Sequence, residues 1–296
     1  MATLNIDRPA PRTVDAAAPV PAVIRERRRP RSRQFWIGGA IVSLAIAVAL
    51  LAPLLAPYDP LAQSIAHQYD GPSSAHLLGL DDLGRDVLSR LLYGARITLL
   101  TAVLAIAIAL PLGTIIGAWS GLLRGWFDMV AMRVLDVQLA YPGMLLALVM
   151  IVALGPSQKS VILALAVGYV PYFARLVRGA VMTEASMDYV LAAEALGQRR
   201  ALILARHIGP SVAGLIAVHG SFAVSGAMVT EASLSFLGLG VSPSNPSWGR
   251  MLSSGAEVIY VAPHVALVPI VALSIVIVGW FFLGEGLREY LDPRRG

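Results

Sequence analysis

Long stretches without any Asp, Glu, Lys or Arg dominate this sequence of 296 residues. A helix rises about 1.5 Å per residue, so about 20 apolar residues cross the roughly 30 Å hydrocarbon core of a bilayer. Five stretches exceed that length, and a sixth, shorter one is followed by two arginines whose long side chains can reach a membrane interface. The stretches are residues 34–58, 97–123, 137–158, 160–174, 208–230 and 258–284. The sequence therefore predicts an all-α integral membrane protein with six transmembrane helices.

Composition excludes several other classes of protein. Hydrophobic residues make up 57% of the chain and charged residues 14%, whereas soluble domains carry about 25% charged residues. The same figures exclude intrinsic disorder of the whole chain, which requires low hydrophobicity and high net charge. The chain has no cysteine, which excludes disulfide scaffolds, thiolate metal sites and cysteine nucleophiles.

The distribution of Lys and Arg predicts the orientation in the membrane, because cytoplasmic loops carry an excess of both. With the N-terminus inside, eighteen of these residues fall in the cytoplasm and five outside. We therefore expect both termini to be cytoplasmic. The isoelectric point near 9.8 is then mostly an orientation signal. Nucleic acid is not expected as a partner, because no basic patch is interleaved with aromatic residues.

The predicted spans and their orientation divide the chain into four regions. Residues 1–33 hold eight arginines and five prolines and are expected to form a disordered basic cytoplasmic tail. The apolar run that follows is longer than the roughly 7–15 residues of a signal-peptide core, so residues 34–57 are expected to be an uncleaved first transmembrane helix. Residues 58–96 form an outer segment, and residues 97–293 form a transmembrane core with a cytoplasmic loop at about 182–210.

The outer segment ends in residues 76–96, with the sequence HLLGLDDLGRDVLSRLLYGAR. Asp81 or Asp82 is a suitable N-cap for a helix there. Helical periodicity separates an apolar face from a polar face, which are Val87, Leu88, Leu91 and Leu92 on one side and Asp86, Ser89 and Arg90 on the other. We expect this helix to lie along the outer interface or to run directly into the second span. An amphipathic lead-in with no further role fits the pattern equally well.

The cytoplasmic loop has the pattern of two short helices. Ser186 is a suitable cap for the first helix, Asp188 lies in its first turn, and Gly197 suits the left-handed position that ends it. A second helix is expected to begin at Arg199 and to close before Pro210, because proline disfavours helix at the residue that precedes it. Such a folded element fits a site that receives force from another protein, whereas a loop resting on the membrane is the simpler alternative.

Four blocks of the sequence resemble the C-type permease subunit of the dipeptide/oligopeptide/nickel class of ABC importers. They are residues 76–96, the loop sequences YVLAAEALG (189–197) and RHIGP (206–210), TEASLSFLGLG (230–240) with PSWG (246–249), and LGEGLREYLDP (283–293). The resemblance covers roughly residues 76–293. It implies the ABC-importer permease fold, in a chain that moves peptides or similar small solutes across the cytoplasmic membrane after an external binding protein has delivered them.

In that family the loop carries the so-called EAA motif, whose helix docks into a groove of a separate ATPase subunit. The resemblance implies that the coupling residues of this chain are Ala192, Ala193, Glu194, Gly197, Arg199 and Pro210. Leu191 stands where the motif has Glu, and Gly209 stands where it usually has Leu. Glu194 lies nearly one turn further on a similar face and is the candidate replacement for the missing acid.

The same resemblance implies an assembly with a second homologous permease, two ATPase subunits and the binding protein. ATP and magnesium are then expected in the ATPases, with no cofactor in this chain. The one lysine, Lys159, precedes Ser160, but Gln158 stands where a phosphate-binding loop needs glycine. No nucleophile lies near a base and no set of His, Asp and Glu has metal-ligand spacing, so the chain is not expected to be an enzyme.

Several polar residues and glycines within the spans are candidates for a functional or a packing role. His219 and Glu231 are candidates for lining the translocation path, with capping or interhelical hydrogen bonding as the alternative, which is favoured for Glu231. Arg133 and Asp136 are three residues apart and are expected to pair with each other. A glycine at every fourth position predicts a close helix–helix seam, within this chain or with the partner permease, at Gly113, Gly117, Gly121 and Gly125.

Two other classes of function remain as alternatives to the importer subunit. A self-sufficient secondary transporter driven by an ion gradient needs acidic groups near the membrane midplane and usually inverted repeats, and neither is evident here. A purely structural membrane scaffold would not need the folded cytoplasmic loop. The importer subunit is therefore the predicted function.

Overall fold

The computed structural model describes residues 33–240 and 245–291. Within these ranges the chain is helical, with one isolated bridge between Leu80 and Asp86. The α-helices are α1 (Arg33–Leu55), α2 (Val87–Leu123), α3 (Gly125–Leu139), α4 (Gly143–Leu154), α5 (Gln158–Glu184), α6 (Asp188–Ala195), α7 (Arg200–Ile203), α8 (Gly209–Phe236), α9 (Trp248–Glu257) and α10 (Pro263–Leu291). The predicted tail, apart from Arg33, and residues 292–293 of the fourth block lie outside the described residues.

Five helices in the described part of the chain are long and apolar enough to cross a membrane, and the bent pair α3 and α4 adds a sixth if it counts as one span. This confirms the predicted all-α membrane fold. The five are α1, α2, α5, α10 and the helix that runs from Arg200 through α8 to Phe236. The short fourth prediction, residues 160–174, falls within α5, which extends it at both ends.

The third span is bent, and the prediction of one continuous helix over residues 137–158 is wrong. α3 ends at Leu139, α4 begins at Gly143, and the two helices are inclined by 87°. The cause is local. Pro142 has no N–H to donate, and it disfavours helical geometry at Tyr141, which precedes it.

α2 is one continuous helix that contains both the outer lead-in and the second span. Its N-cap is Asp86, whose carboxylate accepts a hydrogen bond from the backbone N–H of Ser89 at 2.8 Å. The prediction of a cap at Asp81 or Asp82 is therefore wrong. The structure confirms that the lead-in runs directly into the second span.

The polar side of the lead-in is buried instead of facing the outer interface. Arg90 is almost completely buried, pairs with Asp81 at 3.1 Å and donates to the carbonyl oxygen of Pro60 at 3.2 Å. Arg85 pairs with the same carboxylate at 2.8 Å. These partners come from the loop before α2, which folds back over the helix, so helical periodicity alone did not indicate them. The ion network holds the outer segment to α2.

Three glycines bring α2 into backbone contact with α5. A Cβ on Gly113 would lie 2.6 Å from the Cβ of Phe173, and on Gly117 it would lie 2.3 Å from the carbonyl oxygen of Ala174. A Cβ on Gly121 would lie 2.8 Å from the carbonyl oxygen of Arg178. Gly125, the last glycine of the repeat, meets no such neighbour and has a φ of +65°. The predicted seam therefore exists and lies within this chain.

The remaining spans pack around this pair. α1 lies against α10 at similarly close range, since a Cβ on Gly38 would lie 2.3 Å from the backbone nitrogen of Leu283 and one on Gly279 would lie 2.5 Å from Ile41. The main hydrophobic core contains buried residues from α1, α2, α5, α8, α9 and α10. A bundle of this kind satisfies its backbone hydrogen bonds internally, as a membrane interior requires.

Gly117→Leu is expected to lower the free energy of unfolding by about 1–3 kcal/mol, because the added side chain meets the α5 backbone and forces two packed helices apart. Gly179→Leu is the matched control, since a Cβ on the exposed Gly179 of α5 meets nothing within 4 Å among the described residues. The measurement is thermal unfolding of the purified chain in detergent. An equal loss of stability in both variants would contradict the packing of α2 against α5.

Candidate functional site

α6 lies in the 182–210 loop and ends as the sequence predicts. Gly197 has a φ of +73°. Its N–H donates to the carbonyl oxygen of Glu194 at 2.9 Å, and the N–H of Gln198 donates to that of Ala193 at 3.2 Å. These two bonds form a Schellman motif, in which a residue in the left-handed conformation satisfies the last carbonyls of a helix. Gly197 thereby fixes the direction in which the chain leaves α6.

The start of α6 differs from the prediction. Met187 is the N-cap residue and makes no side-chain capping bond. Ser186 instead donates its hydroxyl to the carbonyl oxygen of Thr183 at 2.7 Å, so the predicted cap is wrong. The hydroxyl of Tyr189 donates to the Glu184 carboxylate. This hydrogen bond, more than burial, raises the pKa of Tyr189, and it ties the first turn of α6 to the end of α5.

α6 has one packed side and one exposed side. Val190 and Ala193 are buried in a cluster that joins α6 to α2, α5 and the start of α8. The other members of the cluster are Ala118, Leu122, Val177, Val181, Ile203, Ile208 and Val212. The exposed side carries Leu191, Ala192, Glu194 and Leu196, the last of which is 81% exposed. Through this cluster the helix is joined to the ends of three transmembrane helices, and it presents a mostly apolar surface with two carboxylates, those of Asp188 and Glu194.

The second half of the loop continues without a break into the fifth span. Arg199 is exposed and is the N-cap residue of α7, and a π turn over Leu204–Ile208 joins α7 to α8. The prediction that this helix closes before Pro210 is wrong. The N–H of Gly209 bonds back to the first residue of the π turn, so Pro210 falls in the first turn of α8, where a missing N–H is tolerated.

His219 lies on α8, within the transmembrane region, and is hydrogen-bonded to α5. Its Nδ1 lies 2.6 Å from the hydroxyl oxygen of Tyr172. Ring contacts continue from His219 through Phe222 to Phe281 of α10. Tyr172 is 40% exposed and His219 is partly exposed. A polar pair is thus open to the surface of the chain within a span.

Glu231 lies on the same helix but is enclosed by the protein, with no exposed surface. Its Oε1 accepts a hydrogen bond from the hydroxyl of Ser235, one turn further along α8, at 2.7 Å. A fully enclosed carboxyl does not meet a passing solute in this conformation. The geometry therefore does not favour a place in the path for Glu231, whose bond to Ser235 lies within α8 and is neither a cap nor an interhelical bond. His219 is left as the candidate for the path.

Two ion pairs join α3 to α5. Asp128 accepts hydrogen bonds from both Nε and Nη2 of Arg178, at 2.5 and 2.6 Å. Asp136 accepts one from Arg175 at 2.5 Å, so the predicted pairing of Asp136 with Arg133 is wrong. α3 lies alongside α5, and the inter-helix partner replaces the local one that sequence spacing suggests.

Comparison with known proteins identifies the family. Residues 110–296 match the family described as binding-protein-dependent transport system inner membrane component. Residues 27–72 match the N-terminal TM domain of oligopeptide transport permease C. The chain belongs to the family of binding-protein-dependent transport system inner membrane components.

Curated relatives extend the match over nearly the whole permease. A Pectobacterium atrosepticum protein named glutathione transport system permease protein GsiD is 39% identical over 287 residues, which cover 92% of this chain and 94% of that protein. Proteins of the same name from Escherichia coli and Shigella dysenteriae are 39% identical over 272 residues, covering 90% of this chain and 89% of theirs.

These matches confirm the function predicted from the four sequence blocks. The permease is a membrane-spanning subunit of an ABC importer of the peptide/oligopeptide class, located in the inner membrane. They favour the importer over the secondary transporter. A binding-protein-dependent importer of this kind implies ATPase and substrate-binding partners.

Sequence reasoning missed two polar contacts of this permease. The first is Tyr172 as the partner of His219, and a usable signal existed, because a tyrosine hydroxyl in an apolar setting usually needs a hydrogen-bond partner. The second joins the two halves of the loop, where Nε2 of His207 lies 3.0 Å from Oε1 of Gln198. Its position depends on the π turn, for which the sequence offered no signal.

Gly197→Val is expected to abolish most uptake by the importer while leaving membrane insertion intact. Valine at a φ of +73° is strained by about 1–3 kcal/mol, and relief of that strain changes the direction of the chain after α6. Gly197→Asn is the matched control, since asparagine tolerates the left-handed conformation, and it should retain uptake.

The measurement is uptake by cells that express the complete importer, with the amount of permease in the membrane determined in parallel. An added Cβ at Gly197 meets nothing within 4 Å, so the two variants separate backbone strain from crowding. Wild-type uptake by Gly197→Val would contradict a coupling role for α6.

Proposed function

We propose that α6 docks into a groove of an ATPase subunit, in an assembly of this permease with a second homologous permease, two ATPases and an external binding protein. ATP and magnesium are bound by the ATPases, and this chain supplies the docking helix and part of the passage. The observation that carries the proposal is the two-sided packing of α6, which is buried against three spans and exposes apolar side chains on its other side. Clustered exposed apolar residues are typical of protein–protein sites.

Each coupling residue has a separate task in this proposal. Ala193 seats the helix on the spans, and the small side chain of Ala192 lets the ATPase approach closely. Glu194, one of two exposed carboxylates of α6 with Asp188, is offered to a cation of the groove. Gly197 ends α6 and Arg199 begins α7, while Pro210 opens α8.

The surface of α6 is more apolar than the family motif, because Leu191 stands in place of Glu. Leu191 and Leu196 are both exposed. We therefore expect the ATPase groove to be lined with apolar side chains opposite these two leucines. A salt bridge at the position of the motif's Glu is not available to this permease.

Force passes from α6 to the membrane through the buried cluster. Val190 and Ala193 belong to one buried cluster with residues of α2, α5 and α8, and close-packed interiors transmit displacement instead of absorbing it. A movement of α6 driven by closure of the ATPases therefore moves the ends of these spans. Such tilting alternates the passage between inward-facing and outward-facing states.

Both termini and α6 lie in the cytoplasm in this proposal. Six crossings place the two termini on the same side of the membrane. When Arg175 and Arg178 of α5 are assigned to the nearer, cytoplasmic end of that helix, eighteen of the Lys and Arg residues fall on that side and five on the other. This agrees with the excess of basic residues in cytoplasmic loops. This orientation brings α6 to the compartment that supplies ATP.

The proposed cargo is a short peptide of the size of glutathione. Support comes from the relatives, which are named glutathione transport system permease proteins and are 39% identical, and from the match to an oligopeptide transport permease domain. The external binding protein performs the first selection, and the permease receives what it releases.

Leu196→Asp is expected to release the ATPases from the permease, because it places a charge at an apolar position of α6 that is 81% exposed and that would be desolvated in the groove. We expect ATPase recovery in affinity purification to fall at least about tenfold, which corresponds to about 1.4 kcal/mol. Leu77→Asp, at a similarly exposed leucine of the outer segment, is the control and should leave recovery unchanged. Full ATPase recovery with Leu196→Asp would count against docking through α6.

A further inference from the structure

One face of α5 is polar and open within the transmembrane region. Its residues recur at spacings of three or four and form one stripe along the helix, namely Gly168, Tyr172, Arg175, Gly179 and Thr183. All are exposed or partly exposed. A Cβ on Gly168 or Gly179 would meet nothing within 4 Å. Packing against residues 33–240 and 245–291 therefore does not explain these two glycines, unlike those at the seam with α2.

The charged member of the stripe is Arg175, which lies about 25 Å along α5 from Gln158 and about 14 Å from Glu184. The Arg175 and Asp136 side chains pair at 2.5 Å and are 51% and 46% exposed. Charged side chains within a span face a bundle interior or a water-filled cavity, because exposing them to hydrocarbon is costly. The open pair therefore marks a face of α5 that meets water.

The neighbouring ion pair of α5 provides a contrast. Arg178 and Asp128 make two hydrogen bonds and are less exposed than Arg175 and Asp136. This second pair fastens α3 to α5. Arg175 makes one short bond to its partner and keeps half of its surface free, so it is the cation that a ligand can reach.

The stripe continues onto α8 through the hydrogen bond of Tyr172 with His219. Further along α8 lies a groove of about 380 Å³, lined largely by apolar side chains. Its walls include Met144, Val229, Ser233, Phe236, Leu252 and Leu273. The cationic and hydrogen-bonding patch on α5 and α8 thus shares α8 with an apolar groove whose other walls come from α4, α9 and α10. A peptide with a carboxylate and side chains requires this combination of surfaces.

We propose that the α5 stripe and His219 line the aqueous passage of the solute, and that Arg175 binds a carboxylate of the passing peptide in exchange for Asp136. Tyr172 and His219 supply hydrogen-bonding groups next to that cation. An Arg guanidinium suits this role because its fork of N–H donors matches the geometry of a carboxylate. The inference rests on the proposed import function and specifies its substrate class as peptides with a free carboxylate.

The absence of cysteine from the chain allows a direct test in the complete importer in native membranes. Gly168→Cys and Gly179→Cys should each react with a membrane-impermeant sulfonate thiol reagent. Leu163→Cys is the matched control, because Leu163 is 45% exposed but lies on the opposite face of α5, about half a turn away. We expect its labelling to be at least tenfold slower. Lipid or a second permease that covers this face would make both stripe positions react as slowly as Leu163→Cys. That result would overturn the proposal.

Charge selection by Arg175 is tested in the Gly168→Cys background. The ratio of labelling rates for an anionic sulfonate reagent and a cationic trimethylammonium reagent should fall about tenfold with Arg175→Gln and stay near its original value with Arg175→Lys. Asp136→Asn should raise the same ratio, a change that misfolding does not produce. A ratio unaffected by Arg175→Gln and Asp136→Asn would refute the role of Arg175.

Neither labelling experiment depends on ATP-driven uptake. If the import function itself were wrong, the wild-type importer would show no ATP-dependent uptake of glutathione or dipeptides, whatever the labelling pattern. If only the present inference were wrong, wild-type uptake would persist while the labelling pattern or the charge ratio failed. The two failures are therefore distinguishable.

Discussion

Backbone contact between α2 and α5 sets the position of the other functional elements of this permease. Gly113 and Gly117 remove the side chains that would separate the two helices, and van der Waals packing at this distance is a main source of helix association in lipid. α5 is thereby held with one face against α2 and another face open, where Arg175 and Tyr172 lie. The ends of the same two helices form the platform on which α6 rests.

The docking helix α6 and the solute passage are therefore both supported by α5. Movement of α6 reaches α5 through Val190 and Ala193, and α5 carries the polar stripe along its open face. A shift of α5 that tilts the helix also moves Arg175 relative to Asp136 on α3. In this account ATP-driven movement changes the affinity of the passage for its solute through the same helix that receives the force.

The sequence predicts features that depend on neighbouring residues, whereas it does not predict contacts between residues that are distant along the chain. Apolar length predicted the spans, glycine spacing predicted the α2 seam, and the left-handed requirement predicted Gly197 as the end of α6. The bend at Pro142 had a local signal, the restriction that proline places on the preceding residue. The partners of Asp81 and Asp136 depend on chain segments that fold back or lie alongside. Spacing within one helix did not indicate them, so the ion networks and the open face of α5 required the structure.

Cysteine cross-linking in native membranes tests the central claim, that α6 is the docking helix on the ATPase side, most directly. A single cysteine at Leu196 should cross-link to an ATPase subunit through a short thiol-to-amine reagent. A single cysteine at Tyr260, fully exposed in the connection between α9 and α10, should not. Capture of the ATPase from position 196 alone is the predicted result, and capture from position 260, or from neither position in an intact complex, would contradict the account.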